Sequence, residues 1–341
     1  MTLTINTNIS SLVAQRNLNS ATNALNTSIK RMTTGYKINS ASDNAAGYSI
    51  ANMWETQLGS LDIAADNAST GADMLTTVEE TYSLLTGHLQ RVRDLTEQAA
   101  NGTYGSQSLR AIQSEIHARL QEVNRIASNS EFNGIKLMSY DSNNKTNPAN
   151  KEVGITERGI DLQVGLYANE YSRINLDVQL FSNASISGLF KNMTGSSESG
   201  KTLTNLIEKA GGDISKLGDD ANLQAFAAAC SGLVYDSGTK TLSLQAEGDY
   251  GAKEMLAFVD KAINEISNRV TNIGAAQNRV QSAISALDVQ SQNLTSSLST
   301  LRDTDVAAES SAYIQAQILQ QASATLLSTA NQLPSVALNL I

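Results

Sequence analysis

Seven apolar residues, Val259, Ile266, Ile273, Val280, Leu287, Leu294 and Leu301, stand at intervals of seven through one stretch of the chain. Seven residues are about two turns of α-helix, so these side chains line one face of one long helix. Ile263, Val270, Ile284 and Leu298 each follow a member of the row by four residues and widen it to the stripe a packed helix requires. A helix over 259–301 would run about 65 Å at about 1.5 Å per residue.

A helix of that length needs partners. A second row holds Trp54, Leu61, Ala68, Leu75, Tyr82 and Leu89, with Val78, Leu85, Val92 and Ala99 beside it. Asn101-Gly102 ends that helix, and a third series (Leu109, Ile112, Ile116, Leu120, Val123, Ile126) doubles back beyond Gly105. These rows predict a bundle built from both halves of the chain, packed through Trp54, Leu61, Leu75, Val259, Ile266, Ile273, Val280 and Leu287. Burying seven such side chains is worth ~10–20 kcal/mol gross, before conformational entropy is subtracted.

The two ends differ from the bundle. Leu18, Leu25 and Met32 form one seven-residue row, and Ala312, Leu319, Leu326 and Leu333 another, while Ser310–Ile341 holds no charged residue. A helix of 32 uncharged residues dotted with Gln and Ser is too polar for lipid and too poor in charge for comfortable solvation, so it is expected to rest against other protein. The terminal ~45 residues at each end offer a narrow, Ala-rich face, and their mutual burial alone is expected to be marginal.

Between the bundle halves the period falls from seven to two. Ile160, Leu162 and Val164, then Ile174, Leu176, Val178 and Leu180, alternate with polar residues as half-buried strands do, and Asn133-Gly134 marks a hairpin turn. The stretch 186–250 is Gly- and Ser-rich and is expected to hold one short helical run and a Leu233–Leu244 hairpin about Ser237-Gly238. The fold class is therefore mainly α with a small β portion: a long discontinuous helical bundle or coiled coil made from both chain ends, plus β-hairpins and a short central insertion.

Composition removes several functions. The net charge of -9 leaves no basic stripe to neutralise phosphates, so no nucleic-acid partner is expected. Cys230 is the only cysteine, which excludes an intrachain disulfide and a four-thiolate zinc site, and its Ala227-Ala228-Ala229 neighbours mark it as a small buried apolar residue. The two histidines, His88 and His117, lack the i+3 or i+4 partner of a helical metal site; no metal, cofactor or catalytic residue is assigned, and no enzyme activity is expected. No long apolar window predicts membrane insertion, and Met1–Asn8 lacks the basic and apolar regions of a secretory signal.

Several motifs together resemble one family. Ile5-Asn6-Thr7-Asn8 with Gln15-Arg16-Asn17-Leu18, the run Thr34-Gly35-Tyr36-Lys37-Ile38-Asn39-Ser40-Ala41-Ser42-Asp43-Asn44-Ala45-Ala46-Gly47, and Ile318-Leu319-Gln320-Gln321-Ala322 with Ala330-Asn331-Gln332-Leu333-Pro334 are similar to the end blocks of bacterial flagellins. The resemblance covers roughly 1–180 and 252–341; at Asn44 that family more usually has an aspartate. It implies a self-assembling subunit of an extracellular helical filament used for swimming. Residues 1–44 with 302–341 would form a terminal coiled-coil domain in the filament core, 45–185 with 251–301 a helical rod with β-hairpins, and 186–250 a small variable surface insertion. The assembly seam would be Leu18, Leu25, Met32, Leu319, Leu326 and Leu333. The resemblance further implies type III export without a cleaved signal peptide, an export chaperone on the C-terminal segment, and contacts with hook-associated and cap proteins. Gln90-Arg91-Val92-Arg93-Asp94-Leu95 is similar to the family's segment for Toll-like receptor 5, with Gln90, Arg91, Leu95 and Glu115 as the contacts; subunit packing is the competing role for these residues. An adhesin using 186–250, or a hydrolase within it, are the alternative functions, the second having no nucleophile–base pair to support it.

Overall fold

The computed structural model describes residues 8–138, 159–167, 169–191, 198–236, 241–244 and 251–338. The described residues are mostly helical and divide into two units, one formed by Met1–Asp62 with Asp288–Ile341, the other by Ile63–Leu287.

In the first unit, α1 (Ile9–Thr34) lies along α8 (Val306–Leu338). Asn8 caps α1 by accepting from the Ser11 N–H at 3.0 Å, and Gly35, at φ 77°, closes its other end by donating to the Arg31 carbonyl. The link from Gly35 to Asn44 is held by its own side chains. Asp43 accepts from the backbone N–H groups of Asn39 and Ser40 and from the Ser40 hydroxyl, which holds its carboxyl below the usual range. Asn44 then accepts from the Gly47 N–H at 3.0 Å and starts α2 (Ala45–Ala100). Asparagine caps a helix as well as aspartate does, so the departure at Asn44 keeps this function.

In the second unit the seven-residue rows do what their spacing predicts. Leu75, Tyr82 and Leu89 on α2, the α3 (Ser106–Asn129) residues Ile116, Leu120 and Val123, and Val259, Ile266, Ile273 and Val280 on α7 (Gly251–Arg302) are all fully buried in one core. Leu287 is buried as well, whereas Leu294 and Leu301 are only half-buried. Leu61 is buried and Trp54 half-buried, but both fall in the first unit, as do residues 288–301.

The described residues also form three two-stranded antiparallel sheets. Strands β1 (Glu131–Phe132) and β2 (Ile135–Lys136) turn on Asn133 and Gly134 at φ 49° and 81°, the left-handed pair a two-residue hairpin of this kind needs. Strands β3 (Ile160–Gln163) and β4 (Arg173–Leu176) pair Ile160 with Leu176 and Leu162 with Ile174. Val178 and Leu180, expected to continue the strand, instead lie in a 3-10 turn, Val178–Phe181, because the Asp177 carboxylate accepts from the Gln179 N–H and ends the extended run. A Cβ at Gly71 of α2 would run into the Leu162 side chain, so the glycine is what lets this hairpin lie close.

The stretch 186–250 holds more helix than the single run expected: α4 (Ile186–Lys191), α5 (Glu198–Lys209) and α6 (Asp220–Cys230), followed by β5 (Leu233–Asp236) and β6 (Thr241–Leu244). The Leu233↔Leu244 pairing is as expected, and the Ser237-Gly238 turn lies outside the described residues. Helix α6 packs on α3, the Phe190 and Phe226 rings meet at 4.9 Å, and their surroundings belong to the same core as the bundle. Cys230 is fully buried there, and burial pushes its thiol up to about 12, with a hydrogen bond to Thr96 acting the other way.

Candidate functional site: the paired chain ends

The contact between α1 and α8 is made of small residues. Ala14, Ala21 and Ser28 are the buried positions of α1, and Ala316, Ser323 and Ala330 are buried on α8, each set again at intervals of seven. Small side chains let two helix axes approach closely, but each buried methyl is worth only about 0.8 kcal/mol gross, so the seam's four alanines contribute roughly 3 kcal/mol. Polar contacts set the alignment. The Asn8 amide donates to the Ala330 carbonyl at 2.6 Å, the Ser11 hydroxyl to Asn331 at 2.7 Å, and the Gln320 amide to the Thr22 hydroxyl at 3.2 Å. At the base of the pair Glu309, itself buried, faces Arg31 at 3.6 Å.

The larger residues of the seven-residue rows are less buried than this seam. Leu18 and Leu25 are half-buried, Met32 is exposed, and Leu319 and Leu326 are 51% and 60% exposed; the Leu333 side chain lies outside the described residues. Met32, Leu319 and Leu326 therefore point away from the intrachain seam, while Leu18 and Leu25 flank it. Ile9, Leu12, Val13, Ile314 and Ile318 on the same two helices are exposed as well. The face closed within the chain is the narrow, Ala-rich one, while its individual positions carry too little hydrophobic contrast to be picked out by spacing.

Beneath the pair, a knot centred on Arg302 joins the Gly35–Asn44 link to the end of α7. Its guanidinium lies 4.2 Å from the Tyr36 ring centroid and donates to Glu55, and its carbonyl accepts from the Lys37 N–H at 2.8 Å. Tyr36 bridges Asp303, Thr304 donates to the Gly35 carbonyl, and the Lys37 ammonium donates to the Thr300 carbonyl. A cavity of about 540 Å³ opens beside this knot, lined by Ile38, Trp54, Leu301 and polar neighbours. Its lone cation, Lys37, is already committed to a backbone carbonyl, and no nucleophile–base pair lines the cavity.

The candidate receptor residues lie in the second unit. Arg91 donates to Glu115 at 2.9 Å between α2 and α3, and that carboxylate raises the guanidinium's pKa. Gln90 is exposed beside them. Leu95 is not available: it is 2% exposed, because it continues the buried stripe of Leu85, Leu89 and Val92 into the core. Among the described residues no group of three His, Cys, Asp or Glu could hold a metal ion, and no helix is long and apolar enough to cross a membrane. His117 instead sits 2.9 Å from Asp220, at the start of α6.

A helix pair drawn from opposite ends of one chain, joined by a small-residue seam with Leu319 and Leu326 outside it and no catalytic constellation among the described residues, is the architecture of a structural protein. Comparison with known proteins gives the same class. Residues 5–143 match the bacterial flagellin N-terminal helical region and residues 256–341 the bacterial flagellin C-terminal helical region. The chain is 33% identical to Flagellin B of Vibrio cholerae, 33% to Polar flagellin F of Vibrio parahaemolyticus and 34% to Flagellin B of Vibrio anguillarum, over the full length of both chains in each case. The chain belongs to the bacterial flagellin family. It is accordingly a structural rather than an enzymatic protein, a subunit that polymerises into the flagellar filament, an extracellular appendage that serves motility.

Proposed function

We propose that α1 and α8 are the filament-building element, and that Leu18, Leu25, Met32, Leu319, Leu326 and Leu333 are covered by neighbouring copies of the chain. The observation that carries this reading is the outward-turned leucine row of α8 on a segment, 310–341, without a single charge. In this scheme 1–44 with 302–341 form the filament core, 45–185 with 251–301 the surrounding rod, and 186–250 the outward surface. A contact that repeats without closing generates the filament, and each added subunit covers the row of the last. Leu326→Glu tests it: the side chain is exposed in the single chain, so monomer helicity should be unchanged. Placing a carboxylate in the covered seam should raise the critical concentration for seeded growth about tenfold or more. Seeded growth of that variant at the parent rate would sink the assignment.

The same exposed leucines suit an export chaperone that holds the C-terminal segment before assembly. Export would use the flagellar type III apparatus, and hook-associated and cap proteins would meet the two filament ends. Toll-like receptor 5 would meet Gln90, Arg91 and Glu115, with Leu95 buried behind them in the single chain. Arg91→Ala is expected to weaken receptor activation several-fold in a dose–response assay, since it removes a charge-assisted pair from a half-exposed face. An unchanged dose would leave these residues to packing alone.

A further inference from the structure

Five methionines have described surroundings, and they fall into two groups. Met74, Met138 and Met255 are buried in the core of the second unit. Met32 and Met53 are 39% and 52% exposed, and both lie in the unit that contains the chain ends. Each follows an exposed isoleucine by about one helical turn, Ile29 before Met32 and Ile50 before Met53. Each thioether is thus part of an apolar patch, and Met32 closes the seam row of Leu18 and Leu25.

We propose that Met32 and Met53 are oxidation sites, and that their conversion to sulfoxide by a peroxide withholds the subunit from the filament. The inference rests on the proposed coverage of the Met32 face of α1 by other copies and extends it to the Ile50–Met53 face of α2, in the same unit. In the reaction the sulfur lone pair attacks one peroxide oxygen and the O–O bond breaks. The sulfur is oxidised by two electrons as the S–O bond forms, and the peroxide's other oxygen departs as water once the displaced proton reaches it. A flexible apolar side chain becomes a polar, chiral acceptor, which a dry contact between copies leaves without a donor. Oxidation is selective because the three other described thioethers are shielded by the core. Coverage in the filament protects the two sites, so the device acts on a subunit before it is added.

The test uses full-length protein and hydrogen peroxide, with peptide mapping by mass spectrometry and seeded filament growth as readouts. Sulfoxide should appear at Met32 and Met53 before Met74, Met138 and Met255, and at least tenfold more slowly when the protein is already in filaments. Oxidised monomer should extend seeds at least tenfold more slowly than untreated monomer. Whatever its own untreated rate, the double variant Met32→Leu/Met53→Leu should extend seeds at the same rate before and after peroxide. Oxidised parent protein that grows at full rate would overturn the proposal, as would a double variant that loses growth on treatment as the parent does, or equal oxidation in monomer and filament. If untreated protein never extends seeds, the assembly reading itself fails, an outcome separable from failure of the oxidation step alone.

Discussion

A chain ended after Glu309 adds to no filament end, yet retains a cooperative unfolding transition for Ile63–Leu287. Ending there removes Ala316, Ser323 and Ala330 and leaves Ala14, Ala21 and Ser28 with no surface to pack on. The hydrogen bonds from Asn8, Ser11 and Gln320 go with it, and α1 is left as a helix stabilised by little beyond its own caps, a marginal state in water. The second unit should barely notice, since its core draws on residues from Ala68 to Val280 alone. Seeded growth should fall at least about a hundredfold, the equivalent of about 3 kcal/mol per added subunit. Helicity should drop by the share of the terminal helices, while the midpoint of the remaining transition stays within a few degrees. Circular dichroism melts and sedimentation of seeded mixtures would show both, and normal polymerisation of the shortened chain would refute the placement of assembly in the ends.

Replacing Arg269 by methionine should be the most damaging single change within the second unit. This arginine is 5% exposed, and its guanidinium donates to the Ser182 and Asn183 carbonyls and the Tyr82 hydroxyl, while its Nε donates to Glu265. The Tyr82 hydroxyl in turn donates to the Leu180 carbonyl, so one cation ties α7 to α2 and to the turn that follows β4. Methionine fills most of the volume but donates nothing, leaving buried carbonyl oxygens without partners at about 1–3 kcal/mol each. The expected loss is ~3 kcal/mol, or roughly 10 °C in the melting midpoint of a unit this size, read by urea and thermal unfolding. Arg269→Lys keeps the charge but not the fork of donors, so it should recover only part. A loss below about 0.5 kcal/mol for the methionine variant would show that water satisfies those carbonyls instead.

How much of this was legible in the residues varies by element. The long rows, Leu61 to Leu89 and Val259 to Leu287, were readable because bulky apolar side chains at a fixed interval admit one secondary structure and one buried face. Asn133-Gly134 was readable because few residue pairs accept the left-handed backbone that turn requires. Val178 and Leu180 misled because alternation continues past Asp177, whose carboxylate caps a turn and ends the strand. Helix α6 was hidden for the opposite reason: it is buried along Ala225–Cys230, so that stretch shows no polar face and hence no period. The burial of Leu95 was not legible either, since similarity of a segment says nothing of which way a helix is rotated.

The sequence by itself determined helix lengths, the position of the bundle core, the turn at Asn133-Gly134 and a charge-free end, all consequences of local side-chain pattern and backbone preference. Only the tertiary structure decided that α1 and α8 meet through Ala14, Ala21, Ser28, Ala316, Ser323 and Ala330, with Leu319 and Leu326 turned outward. It also decided that Arg302 and Arg269, ordinary surface residues by pattern, are the polar knots of their units. The reason is physical. Periodicity reports that a face is apolar, but which of two apolar faces is closed within the chain depends on how near the helix axes can come, and that distance is a property of the pair.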